Sequence, residues 1–93
     1  FQAGSISKPI SAFGALLQVQ KGLLNLDRDV DTVLKGWQVP ASQYSAIKKV
    51  TLRHLLSHTS GISVMGFPGY SHTDKIPSLA QILNGNAPAN SPA

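Results

Sequence analysis

Wound as a helix, residues 5–21 would leave only one narrow polar strip, and this limits what the rest of the chain can be. One face runs from Ser5 and Lys8 through Ala12, Ala15, Leu16 and Val19, and a second stripe holds Ile6, Ile10, Phe13 and Leu17. Only Ser7, Ser11, Gly14, Gln18 and Lys21 line up as small or polar positions. Such a helix belongs mostly inside a larger body rather than half in water. Gly22 is its expected C-terminal stop. Pro9 lacks an N–H and crowds the carbonyl four residues back, at Ser5, so the helix must start late or with a distorted first turn.

Ser5 and Lys8 are three apart and share a face about one turn from each other. A serine hydroxyl is a weak nucleophile until a base takes its proton, and a neutral lysine amine in reach can do so. Burial against an apolar face favours the neutral amine that a general base requires. At a helix mouth, unpaired N–H groups and the dipole also favour negative charge developing beside Ser5. The same pattern serves equally for a serine N-cap and a lysine reaching to the surface. Spacing alone leaves both readings open.

After Leu23-Leu24-Asn25-Leu26-Asp27, the apolar set Leu26, Val30, Val33 and Leu34 predicts a second helix over about 28–35, ended by Gly36. Residues 37–49 read as irregular chain around Pro40, with Trp37 as an anchor. Thr51 caps a short helix over 52–57, which leads into His58-Thr59-Ser60-Gly61-Ile62. His54 and His58 have the spacing of helical zinc ligands, yet the glutamate of H-E-x-x-H is absent and no third ligand is near, so no metal is assigned. The loop 63–77 carries Met65, Phe67 and Tyr70 among Gly, Ser and Pro, the composition of a lid or pocket wall. Ser78-Leu79-Ala80-Gln81 is a capping box opening a short helix over 79–84, and the Pro- and Asn-rich tail from Asn86 is expected to be extended.

Composition excludes several functions. With 93 residues, 42% hydrophobic and 13% charged, the chain is one small apolar unit and not a disordered tail. The absence of cysteine removes disulfides, thiol nucleophiles and thiolate metal sites. The net charge of +4 is scattered, and six aromatics are spread along the chain, so no nucleic-acid-binding face is expected. No stretch approaches the ~20 apolar residues of a membrane span. There is no phosphate-binding glycine loop and no G-x-S-x-G elbow.

Taken in order, Gly4-Ser5-Ile6-Ser7-Lys8, the long apolar helix, Gly22-Leu23-Leu24-Asn25-Leu26-Asp27 and Thr51-Leu52-Arg53-His54-Leu55-Leu56-Ser57-His58-Thr59-Ser60-Gly61-Ile62 resemble the serine β-lactamase and penicillin-binding-protein superfamily. Within it, class C β-lactamases and their esterase and peptidase relatives are the nearest branch. The resemblance is firm to about Ile62 and looser from Val64 to Pro92.

The resemblance implies a serine hydrolase working through an acyl-enzyme on an ester, amide or β-lactam carbonyl, with a small-molecule or peptide substrate and no cofactor. Ser5 would be the nucleophile, Lys8 its proton acceptor, and the Ser5 backbone N–H one oxyanion-hole donor. The 58–61 segment would be a structural turn near the site. A periplasmic or secreted location is expected on the same ground. The fold class implied is the helical part of an α/β (α+β) β-lactamase/DD-peptidase-like fold, mainly α here and without the antiparallel sheet.

The family's tyrosine motif and its Lys/His-x-Gly strand are not found: Tyr44 precedes Ser45-Ala46 and Tyr70 precedes Ser71-His72. The chain is therefore expected to be one part of a single catalytic domain, completed by the remaining polypeptide as separate chain(s). The alternative reading is a non-enzymatic helical interaction module whose first helix docks on a partner.

Overall fold

The computed structural model describes all residues, 1–93. It is helical, with α1 at Ser7–Gln20, α2 at Leu52–Leu56 and α3 at Leu79–Asn84, joined by turns and irregular chain. No strand forms, and a lone antiparallel bridge between Asp29 and Thr51 is all the β pairing present. The chain divides into two units, Phe1–Ser60 and Gly61–Ala93.

In the first unit, the conflict that Pro9 creates is resolved by geometry. A 3₁₀ turn over Gly4–Ile6 leads directly into α1, opened by the Ile6 N–H donating to the Ala3 carbonyl at 3.2 Å. Pro9 then falls at the third position of α1, where a missing N–H costs no helical hydrogen bond. At the other end, Leu23 N–H donates to Gln18 O at 2.9 Å and Gly22 N–H to Val19 O at 3.0 Å. Gly22 has the left-handed φ of 75° that this closure needs.

The burial expected for α1 is corrected. None of its residues is buried, and Ile10 and Phe13 are 72% and 66% exposed. Ala12, Ala15 and Val19 are half-buried, so only part of one stripe is covered. The cause is a shortage of apolar mass, since the remaining short elements cannot cover two stripes at once.

The second helix expected over 28–35 is also corrected: it is a single 3₁₀ turn, Val30–Thr32. Short polar side chains divert the backbone there. Asp29 Oδ1 accepts from Asp31 N–H at 3.0 Å, Thr32 Oγ1 donates to Asp29 O at 2.7 Å, and Asp31 Oδ1 accepts from Val39 N–H at 2.9 Å. Val30, Thr32 and Val33 are β-branched and weaken the helical alternative further. Val30 is instead the small core of the unit, 5% exposed, with its N–H donating to Val50 O at 2.9 Å. An apolar cleft of about 160 Å³ opens beside it, lined by Leu23, Leu24, Val33, Leu34, Leu52 and Leu55 among others.

In the second unit, α3 starts with the expected capping box. Ser78 Oγ accepts from Gln81 N–H at 3.2 Å while Gln81 Oε1 accepts from Ser78 N–H at 2.8 Å. The expectation of an extended tail is corrected. Asn90 Nδ2 donates to Gly69 O at 2.7 Å and Asn90 N–H to Tyr70 Oη at 3.1 Å, folding the tail back onto the loop. A Cβ at Gly85 would meet the Ala93 nitrogen at 2.5 Å, so this close return depends on glycine. Phe67 and Tyr70 pack ring to ring at 5.7 Å in the same loop.

Candidate functional site

Ser5 lies in the 3₁₀ turn and Lys8 in the first turn of α1. Lys8 Nζ donates to Ser5 Oγ at 3.0 Å, so the pair predicted from spacing is in direct contact. The tight turn ahead of the α-helix keeps residues three apart on one side, which makes the hydrogen bond local and short. In a first helical turn the Ser5 N–H has no intrahelical acceptor by position. Both side chains are exposed, so this chain alone does not supply the dry surroundings expected around the lysine.

The second motif segment is organised around α2. Thr51 Oγ1 accepts from His54 N–H at 3.3 Å, and His54 Nδ1 accepts from Thr51 N–H at 3.0 Å, a reciprocal capping box. The C-terminus closes with Thr59 N–H on His54 O at 2.9 Å and His58 N–H on Leu55 O at 3.3 Å. This is the double-bonded closure also seen at the end of α1, but the left-handed position, φ 57°, is occupied by His58 rather than glycine. Ser57 Oγ donates to Arg53 O at 2.7 Å and sits 2.8 Å from Thr59 Oγ1.

One link between the motif segments was not visible in the sequence. Arg53 holds Asp27 in a two-pronged ion pair, Nε to Oδ1 at 2.7 Å and Nη2 to Oδ2 at 3.0 Å. The Arg53 N–H also donates to Leu26 O at 2.9 Å. The Arg53 guanidinium beside Asp27 holds that carboxyl below its ordinary value, chiefly through the hydrogen bond. Twenty-six residues separate the two, and no local spacing signals such a pair. The role of His54 was missed for a different reason: a box is recognised by Glu or Gln at its third position, not by imidazole.

Hydrogen bonds therefore join Ser5 to Lys8, and separately Asp27 to Arg53 and Thr51 to His54. Within the second unit, the Tyr70 hydroxyl accepts from the Asn90 N–H at 3.1 Å. No helix is long and apolar enough to cross a membrane.

Comparison with known proteins gives this geometry a context. The family described as Beta-lactamase matches residues 1–92. Over 62 residues the chain is 40% identical to penicillin-binding protein 4* of Bacillus subtilis (strain 168), covering 67% of this chain and 12% of that protein. Over 63 residues it is 41% identical to penicillin-binding protein 4 of Amycolatopsis lactamdurans, covering 68% of this chain and 16% of that protein. The matched stretch is thus well under a fifth of either relative. No solved structure matches the chain. With a Ser-x-x-Lys contact at the head of an apolar helix and a family match running over nearly its whole length, the chain belongs to the Beta-lactamase family.

Proposed function

We propose that this chain carries the nucleophile-bearing helical part of a serine hydrolase that works through an acyl-enzyme. The observation that carries the reading is the 3.0 Å contact between Lys8 Nζ and Ser5 Oγ in a chain matched by the Beta-lactamase family over residues 1–92. Ser5 Oγ attacks the carbonyl carbon of an ester, amide or β-lactam. Its proton passes to the Lys8 amine in the neutral form. The tetrahedral oxyanion faces the Ser5 N–H as one of its donors, and its collapse transfers the acyl group to Ser5 while the leaving group takes up the proton. Water then releases the acid and restores the serine.

The remaining polypeptide supplies the second donor, the tyrosine and the strand that the sequence lacks, and it covers the exposed stripe of α1. Both parts together form one catalytic domain acting in the periplasm or outside the cell. The relatives' printed names describe penicillin binding, which makes a β-lactam the first probe to try.

The test is labelling of the full-length protein with a fluorophosphonate and with a fluorescent penicillin. Ser5→Ala is expected to abolish both labels; a label that persists rejects Ser5 as the nucleophile. Lys8→Ala is expected to slow acylation by roughly 10²–10⁴-fold, the ordinary contribution of a positioned acid–base group. An unchanged rate with weakened partner binding would favour a non-enzymatic docking helix, for which the exposed Ile10 and Phe13 are the supporting observation.

A further inference from the structure

We propose that the Thr51–His54 capping box is an acid-sensitive clasp that releases the join between α2 and the 26–32 segment when the imidazole is protonated. The chain holds two reciprocal boxes of the same design, one closed by His54 Nδ1 on Thr51 N–H at 3.0 Å and one by Gln81 Oε1 on Ser78 N–H at 2.8 Å. An amide oxygen keeps its lone pairs at any ordinary pH. An imidazole nitrogen does not, because both ring nitrogens of the imidazolium are donors. A backbone N–H can only donate, so His54 must present Nδ1 unprotonated and carry its proton on Nε2 while the box is closed.

Thr51 is also where the box meets the rest of the unit. It forms the antiparallel bridge with Asp29, the preceding Val50 carbonyl accepts from Val30 N–H at 2.9 Å, and Arg53 N–H reaches Leu26 O at 2.9 Å. Loss of the clasp therefore frees more than a helix end. The charged groups around His54 are Asp27, whose carboxylate acts on it through space, and Arg53, which neutralises that carboxylate directly. Asp29 is on the bridged segment, with its carboxylate engaged by Asp31 N–H. The Arg53 guanidinium lies on the Asp27 carboxylate at 2.7 Å, while the Thr51 N–H on Nδ1 is a contact that only the neutral ring can make. A ring protonated on Nδ1 has no lone pair left for the Thr51 N–H, so the closed box and the imidazolium exclude each other. The inference does not rest on the chemistry of Ser5.

The experiment is amide hydrogen exchange on the full-length protein at pH 8 and pH 5, each rate corrected for intrinsic exchange. The Ser78 amide serves as the internal reference, since its acceptor does not titrate. Protection at Thr51 relative to Ser78 is expected to fall by roughly 5-fold or more at pH 5, the factor set by loss of one such hydrogen bond. His54→Gln, which installs the acceptor of the second box, is expected to remove that fall. Imidazole nitrogen shifts at pH 8 are expected to show the proton on Nε2. A wild-type ratio that is the same at both pH values overturns the proposal, as does a fall that persists unchanged in His54→Gln or a proton found on Nδ1.

Discussion

His58 is the residue whose backbone asks most of its side chain. It adopts φ 57°, where α1 and α3 use Gly22 and Gly85 for the same left-handed turn. A side chain there costs about 1–2 kcal/mol that glycine avoids. His58→Gly is accordingly expected to leave the full-length protein as stable or up to about 1 kcal/mol more stable in urea unfolding. A loss of stability would mean that the imidazole is held by a contact beyond the turn. The Asp27–Arg53 pair carries a pH dependence of its own. Asp27 is lowered from 3.8, so the folded form binds fewer protons than the unfolded one near that pH. The pair's contribution is present above about pH 4 and is lost as pH falls through the lowered value. A carboxyl titration followed by NMR is expected to show Arg53→Gln moving Asp27 back up toward 3.8.

At the scale of elements, ends decide more than propensities. Thr51 caps a helix of only five residues, far too short to persist by its own hydrogen bonds. Thr51→Ala is expected to cost about 1 kcal/mol in thermal or urea unfolding of the full-length protein, and a change near zero would contradict the box. These ends were also the most legible parts of the sequence. The Ser78–Gln81 box and the glycine stop at Gly22 follow from residue type and spacing, and so does the Ser5–Lys8 contact. The 28–35 segment was misread because its apolar spacing suits a helix while Asp29, Asp31 and Thr32 compete for the same backbone groups. Apolar spacing carries no trace of that competition. Long-range pairs such as Asp27–Arg53, and the return of Asn90 onto Gly69, have no local signature at all.

For the whole molecule, the governing fact is an apolar helix without enough chain around it. Ile6, Ile10 and Phe13 stand 72%, 72% and 66% exposed, a stripe that water disfavours at about 25 cal/mol per Å². Under the proposed function the rest of the polypeptide covers them, and magnitudes separate this from a solvated surface. In the full-length protein Phe13→Ala is expected to cost about 3–5 kcal/mol if the ring is packed. A substitution at an exposed site changes stability by no more than about 0.5 kcal/mol, and that result would reject the covered stripe. Under that proposal the same covering would also surround Lys8, which is exposed in this chain.

The central claim is that Ser5 becomes acylated, and peptide mapping tests it most directly. The full-length protein is treated with a penicillin, quenched in acid and digested with trypsin. Lys8 precedes Pro9, where trypsin does not cut, so the peptide running to Lys21 keeps Ser5, Lys8 and α1 together. One adduct is expected, with the mass of the intact opened penicillin, located by fragmentation on Ser5 and absent from Ser5→Ala. An adduct on any other residue, or one retained in Ser5→Ala, would contradict it.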